Sequence, residues 1–424
     1  MGCAGSEGSF PEDITESSAR TSSQGVNSMI QPYAIGASTV FDGAVTHQDC
    51  AVVIDGTTIT AVLPSRDLPL ELPVSDLPAG AWLSSGFIDL QVNGGGDVLF
   101  NDNPTPEGIA AIAAAHRQFG TTSLLPTLIS DTPEKMRAAL SSIGTASASD
   151  PGVLGIHFEG PFLSCLKAGV HHPSMIRPPS ADDLGLLRAA GPGCVVVVTL
   201  APEAVPVGFI RTVVDAGVHV CLGHSMSTYA QAKASILEGL TGFTHLFNAM
   251  RPLASRDPGP IAAALESPSV WFGMIVDGEH VDSAMLRLAL RGHGHPMLVT
   301  DAMPPVGGTN SSFMLHGQEI TVCAGRCTRS DGMLAGAALD MATAVRNSVN
   351  LLGLTVPDAI KLATITPAAF LGLNHTLGRV CRGYRADLVA FFPANMEIIA
   401  TWVAGKCKFM NALLNGIQGR RVIV

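Results

Sequence analysis

Residues 195–245 read VVVVTLAPEAVPVGFIRTVVDAGVHVCLGHSMSTYAQAKASILEGLTGFTH. A β-branched run from Val195 to Leu200 is followed by a helical stretch from Pro206 to Ala216 and a second strand-like run from Val218 to Leu222. Another helix then runs to Glu238, and a short strand spans Gly242 to His245. Strand, helix, strand, helix, strand within about fifty residues is the pattern of parallel β/α units. The alternation continues upstream, with strands at Gly86 to Val92, Ser123 to Pro126 and Val153 to Phe158 and a helix from Ala110 to Phe119. Downstream it gives strands at Trp271 to Val276 and Met297 to Thr300, separated by a helix near Ser283 to Leu290. About eight such units closing on themselves make a barrel, so the predicted fold class is α/β, a (β/α)8 TIM-like barrel.

The flanks read differently. Short β-rich stretches and turns occupy Ala37 to Phe41, Ala51 to Ile54 and Ile59 to Leu63, and again Asp387 to Phe392 and Ile398 to Val403. Two β-rich ends around an α/β middle predict that the terminal segments meet in a small β-sandwich domain. The predicted division is 29–84 and 373–424 for the two parts of that domain and 85–372 for the barrel. Residues 1–28, rich in Ser, Gly and Glu, hold too little apolar surface to fold and are predicted to be a disordered tail. The start Met1-Gly2-Cys3-Ala4-Gly5-Ser6 fits the N-myristoylation pattern with a palmitoylatable cysteine beside it. Acylation of Gly2 and Cys3 would supply the two anchors that stable membrane attachment needs; the alternative is a chance match on a tail.

Of the 424 residues, 47% are hydrophobic, yet charged and turn-forming residues break every apolar run well short of a bilayer span. A formal net charge of −10 disfavours a nucleic-acid partner, whose phosphates an acidic surface repels. Nine cysteines at irregular spacings, with no signal-peptide pattern ahead of them, are expected to be reduced thiols in a cytoplasmic protein.

Several strands end in a polar residue: Asp89 with Gln91 and Asn93, then Glu159, His224, His245, His280 and Asp301. Barrel strands present their C-terminal ends to one mouth, so residues far apart in sequence converge there. One strand-end histidine is ordinary. Two imidazoles with one carboxylate, however, leave a coordination position open on a divalent cation, which is what a hydrolytic site needs to acidify water. Glu159, His224 and His245 are the candidate ligands, and Asp301 is the candidate proton-transfer residue.

Seven ordered segments carry a resemblance. They are Ser85 to Gly94 (SGFIDLQVNG), His157 to Phe162 (HFEGPF) with Lys167 to His171, Gly223-His224-Ser225, Thr244 to Met250 (THLFNAM) with Arg256 to Gly259 behind it, Val276 to Val281, Leu298 to Ala302, and Leu334 to Gly336. Together they resemble the amidohydrolase superfamily, and within it the family of N-acetylglucosamine-6-phosphate deacetylases, over nearly the whole chain after the tail. The resemblance implies hydrolysis of N-acetyl-D-glucosamine 6-phosphate to glucosamine 6-phosphate and acetate, with Asp301 deprotonating the attacking water and then protonating the departing amine. It implies one divalent cation per subunit, zinc first, with iron, cobalt or manganese as alternatives. His171 would lie at the acetamido group, Val170 beside it would be a further substrate contact, Asn248, Ala249, Arg256 and His280 would lie at the phosphate, and Leu334, Ala335 and Gly336 against the sugar. A homodimer is implied, with Arg256 reaching in from a second subunit.

One departure matters. Many superfamily members carry His-x-His at the end of the first barrel strand, where Gln91 and Asn93 stand here. Neutral amides compete poorly for a transition metal, so a single cation is expected and the two amides become candidate hydrogen-bonding partners behind the site. Two other readings stay open: an amidohydrolase acting on a related N-acyl sugar phosphate or cyclic amide, and an inactive relative serving as a scaffold.

Overall fold

The computed structural model describes residues 31–412 apart from 192 and 324. The tail, the acylation motif at Gly2 and Cys3, and the last residues of the chain lie outside them. Eight parallel strands form one sheet in chain order: Phe87–Val92, Thr121–Ile129, Gly155–Glu159, Val195–Leu200, His219–Leu222, Gly242–Phe243, Trp271–Met274 and His295–Leu298. A parallel bridge from Val92 to Ala302 brings the eighth strand's extension back to the first. The buried Asp89 carboxylate reinforces this closure by accepting the Thr300 hydroxyl and backbone N–H. The predicted (β/α)8 barrel is therefore the observed one.

Each helix start is written locally. Thr105 caps Pro106–Arg117, Thr132 caps Pro133–Ser149, and Asp340 caps Met341–Leu352, each accepting a backbone N–H of the first turn. Thr228 with Gln231, and Ser180 with Asp183, add capping boxes to Tyr229–Leu237 and Ala181–Arg188. The inner faces of these helices pack on the strands in one large apolar cluster that includes Phe158, Val198, Leu222, Phe272 and Ile360.

The chain ends meet as expected. Strands at Tyr33–Phe41, Thr46–Asp55, Thr58–Pro64, Val74–Asp76 and Trp82–Ser85 share an eight-stranded sheet with Leu388–Phe392, Glu397–Val403 and Lys406–Met410. That sheet has its own apolar cluster, with Ile35, Val52, Leu83, Leu388 and Trp402 among its members. Bonds from Ile59 N–H to Tyr384 O and from Tyr33 Oη to Gly405 O tie its N-terminal half to its C-terminal half. The Trp82–Ser85 strand ends one residue before the barrel begins, so the sheet feeds its register directly into the first barrel strand.

One element is not anticipated by the sequence pattern. Between the eighth strand and the Met341–Leu352 helix, Ser312–Leu315, Gln318–Cys323, Arg326–Thr328 and Leu334–Ala337 form a four-stranded antiparallel sheet. It is anchored to the mouth by Ala337, whose N–H bonds Asp301 O and whose carbonyl accepts Met303 N–H.

Candidate active site

Glu159 is the last residue of its strand, while His224 and His245 follow theirs by two residues and Asp301 follows the eighth by three. The last three have positive φ, at 47°, 28° and 51°. A non-glycine residue in that region costs on the order of 1–3 kcal/mol and persists where the surroundings impose it, commonly at functional sites. Three such residues at one barrel mouth mark a place where side-chain direction outranks backbone comfort.

The four side chains converge. His245 Nε2 and His224 Nε2 stand 3.0 and 3.2 Å from Glu159 Oε1 and 3.2 Å from each other. All are buried. Burial alone would raise the Glu159 carboxyl, but the two imidazoles hold it well below the usual range; burial would lower His245, but Glu159 raises it. Gln91 Nε2 donates to Glu159 Oε1 at 3.0 Å and to Asp301 Oδ1 at 3.1 Å, and Asn93 Nδ2 donates to the same Asp301 oxygen at 2.7 Å. Gln91 thus links the Glu159 carboxylate to the Asp301 carboxylate. Burial and the Glu159 charge push Asp301 up to about 6, with His245 and His280 pulling the other way.

The donor set fits a divalent cation. Bonds of about 2.1 Å at tetrahedral angles put neighbouring donors roughly 3.4 Å apart, close to the spacing of the Glu159, His224 and His245 atoms. His224 Nδ1 lies 2.8 Å from Lys167 O, so its proton is held there and the Nε2 lone pair faces inward, the usual support for a ligating imidazole. Glu159, His171 and His224 also present ligand atoms within 4.8 Å of one another. His171 is nevertheless the looser member, 4.0 Å from Glu159 Oε2, and its Nδ1 accepts the Ser130 N–H. That bond leaves the ring proton on Nε2, because burial and the neighbouring imidazole His224 hold the ring well below its ordinary pKa and therefore neutral. A neutral Nε2–H is a hydrogen-bond donor rather than a ligand.

Around these groups is a cavity of about 240 Å³. Its walls bring together Asn93, Val170, His171, Asn248, Ala249, His280, Leu334 and Gly336 with Glu159, His224, His245 and Asp301. Two expected residues are placed elsewhere. Ala335 sits between two wall residues on a strand, and alternation turns its side chain into the apolar cluster with Leu99, Ile129 and Met303. Arg256 is exposed, outside the cavity wall, and makes no hydrogen bond or ion pair among the described residues. Among the described residues no lysine or arginine lines the cavity, and His280 lines it apart from the Glu159, His224 and His245 cluster. Asp277 Oδ2 holds His280 Nδ1 at 2.6 Å while its other oxygen accepts the N–H of Glu279 and of His280.

Sequence reading missed Ile129, Met303 and Met333, which complete the apolar wall. Their only signal is hydrophobicity, which core residues share. Gly336 is needed where it stands: its φ is +62°, and a Cβ there would lie 2.5 Å from Met303 Cγ.

The amidohydrolase family model matches residues 82–408, from the last strand of the N-terminal segment through the whole barrel. The chain belongs to the amidohydrolase family. Among known amidohydrolases of this kind, an N-acetylgalactosamine-6-phosphate deacetylase of Shewanella sp. (strain ANA-3) is 39% identical, over 88% of this chain and 95% of its own length. An N-acetylglucosamine-6-phosphate deacetylase of Haemophilus influenzae is 35% identical over 89% and 99%. The crystal structure of N-acetylglucosamine-6-phosphate deacetylase from Pasteurella multocida superposes with a TM-score of 0.86 at 35% identity, covering 90% of this chain and all of that one. The amidohydrolase assignment thus extends over both the barrel and the sheet that the chain ends build. Among the described residues, no helix is long and apolar enough to cross a membrane.

Proposed function

We propose that this amidohydrolase removes the acetyl group from an N-acetylated amino-sugar 6-phosphate, with N-acetyl-D-glucosamine 6-phosphate as the substrate. The observation that carries the reading is the convergence of three candidate cation donors and the Asp301 carboxylate at one barrel mouth, in a chain that matches deacetylase relatives over nearly their full length. Glu159, His224 and His245 would hold a divalent cation, for which zinc suits the donor set, and it would supply Lewis-acid polarisation of the acetyl carbonyl and acidify water.

The chain's own residues divide the rest of the work. Asp301 takes a proton from the attacking water as oxygen bonds to the acetyl carbon. His171 Nε2–H donates to the carbonyl oxygen as negative charge builds there. Asp301 then delivers its proton to the nitrogen, the C–N bond breaks, and acetate and the free amine leave. Gln91 and Asn93 occupy Asp301 Oδ1, which leaves Oδ2 as the oxygen that carries the proton. Val170, Leu334 and Gly336 form the wall for the sugar, and His280, Asn248 and Ala249 take the phosphate. The position of Arg256 on an exposed turn supports a homodimer in which it enters the partner's phosphate site, where a guanidinium suits a dianion.

A second reading is favoured by the 39% identity to the Shewanella enzyme, whose substrate name specifies the galacto sugar. The two sugars differ at C4 alone, away from both the amide and the phosphate. Acetate release from both N-acetylated 6-phosphates, each beside its unphosphorylated sugar, separates the readings. Turnover of the gluco 6-phosphate with the free sugars inert is expected; preference for the galacto compound selects the second reading, and no release from either rejects both.

A further inference from the structure

Three buried side-chain polar atoms without a hydrogen-bond partner belong to residues that line the cavity: Asn93 Oδ1, His171 Nε2 and His245 Nδ1. His245 turns its Nε2 toward Glu159 and His224, so its Nδ1 is on the opposite edge of the ring from the donor cluster. The other two remain. Asn93 and His171 are each 2% exposed. A buried polar atom left unpaired costs on the order of 1–3 kcal/mol, and native interiors rarely keep one without a use for it.

Their chemical types are opposite, and in both cases the surroundings fix the type. His171 Nδ1 accepts the Ser130 backbone N–H at 3.2 Å, with the Ser130 hydroxyl 2.9 Å from the same nitrogen, and an imidazole whose Nδ1 accepts carries its N–H on Nε2. The Asn93 amide nitrogen is 2.7 Å from Asp301 Oδ1, and a carboxylate oxygen accepts from NH2 rather than from C=O. Asn93 Oδ1 is therefore the atom left over, and it is an acceptor. One donor and one acceptor, both unsatisfied and both on residues of the cavity wall, match a secondary amide, which presents one C=O and one N–H. A trans amide points these groups in opposite directions. His171 stands on the side of Glu159 Oε2 and Ser130, and Asn93 on the side of Asp301.

We infer that Asn93 Oδ1 accepts the N–H of the scissile amide, so that Asn93 and His171 together read the substrate as an amide rather than an ester. The inference rests on the deacetylase reading above. It gives the residue that stands in place of a metal-binding histidine two tasks: its NH2 orients Asp301, and its C=O holds the nitrogen that Asp301 protonates. An ester, with oxygen in place of N–H, leaves Asn93 Oδ1 unpaired and facing an ether-type lone pair.

The test compares 2-acetamido and 2-acetoxy glucose 6-phosphate on the metal-loaded enzyme, reading kcat/KM for each, with the ester's Ki against the amide where its turnover is slow. In Asn93→Ala the amide-to-ester ratio is expected to fall about 10- to 100-fold, the range for leaving one buried hydrogen-bonding group unpaired. Displacement of Asp301 alone would slow both substrates together and leave the ratio unmoved. Asn93→Asp keeps an acceptor oxygen at the same place but loses the donor to Asp301, so its rate is expected to drop while the ratio stays near that of the wild type. An unchanged ratio in Asn93→Ala overturns the inference alone. Failure of the wild type to release acetate from the amide overturns the functional reading and this inference with it.

Discussion

Replacing Asp301 with asparagine isolates proton transfer from everything else the residue does. In the native site Asp301 Oδ1 accepts two hydrogen bonds, 3.1 Å from Gln91 and 2.7 Å from Asn93. The carbonyl oxygen of the introduced asparagine can accept both, so the side chain keeps its place, and Glu159, His224 and His245 keep their mutual spacing because none of them bonds Asp301. What disappears is a carboxylate that burial and Glu159 push up to about 6. Removing a general base of this type costs about 10²- to 10⁴-fold in rate, or about 3 to 5 kcal/mol of transition-state stabilisation. Activity requires the ionised form, so the wild-type kcat/KM falls as pH drops through the Asp301 pKa; a bound cation nearby draws that value down, which places the acid limb at or below about 6. The assay is acetate release from pH 5 to 8, with metal content measured on the same samples. Asp301→Asn is expected to retain its metal, lose about 10²- to 10⁴-fold in kcat, and lose the acid limb. Near-normal turnover with the acid limb intact would refute the assignment.

Three further perturbations separate the remaining parts. His224→Ala removes one of three donors and the anchor to Lys167 O, so metal content and turnover are expected to fall together; unchanged metal removes His224 from the ligand set. Asp277→Asn replaces the acceptor that holds His280 Nδ1, and KM for the 6-phosphate is expected to rise about tenfold with kcat little changed, since a charge-assisted bond is worth about 1.5–3 kcal/mol; equal losses in kcat would place His280 in the chemistry instead. His116 is wholly buried, its Nε2 2.9 Å from Gly94 O, and burial pushes its pKa down to about 4. Its folded value lies below that of the unfolded chain, so its contribution is fully present above about pH 6.5 and is lost as pH falls toward 4, by about 3 kcal/mol. Denaturant midpoints from pH 7 to 4.5 are expected to drop less in His116→Gln than in the wild type, and parallel slopes would contradict this.

The barrel is legible because each strand carries its own apolar run and each mouth residue follows it. Glu159, His224, His245 and Asp301 stand out in the sequence as polar groups at the ends of segments that are otherwise core. The Pro133–Ser149 and Met341–Leu352 helices escape a reading that follows the strand runs, although Thr132 with Pro133, and Asp340 with Gly353, mark their boundaries. The four-stranded sheet over 312–337 is not readable: its strands are short, and Gln318–Cys323 exposes four of its six side chains, so that strand lacks the period that burial on one face imposes. Directions are beyond sequence as well. Nothing in the local pattern says that Ala335 turns away from the cavity between Leu334 and Gly336, or that Asp277 clamps His280.

The most direct test of a one-cation deacetylase is to strip the protein of metal, add back zinc in steps, and follow acetate release from N-acetyl-D-glucosamine 6-phosphate against metal bound per chain. In the proposed function Glu159, His224 and His245 supply one site, and the amides Gln91 and Asn93 stand where a second would need histidines. Activity is expected to be absent in the stripped protein and to reach its plateau at one equivalent. Full activity without metal, or a plateau only at two equivalents, would contradict it.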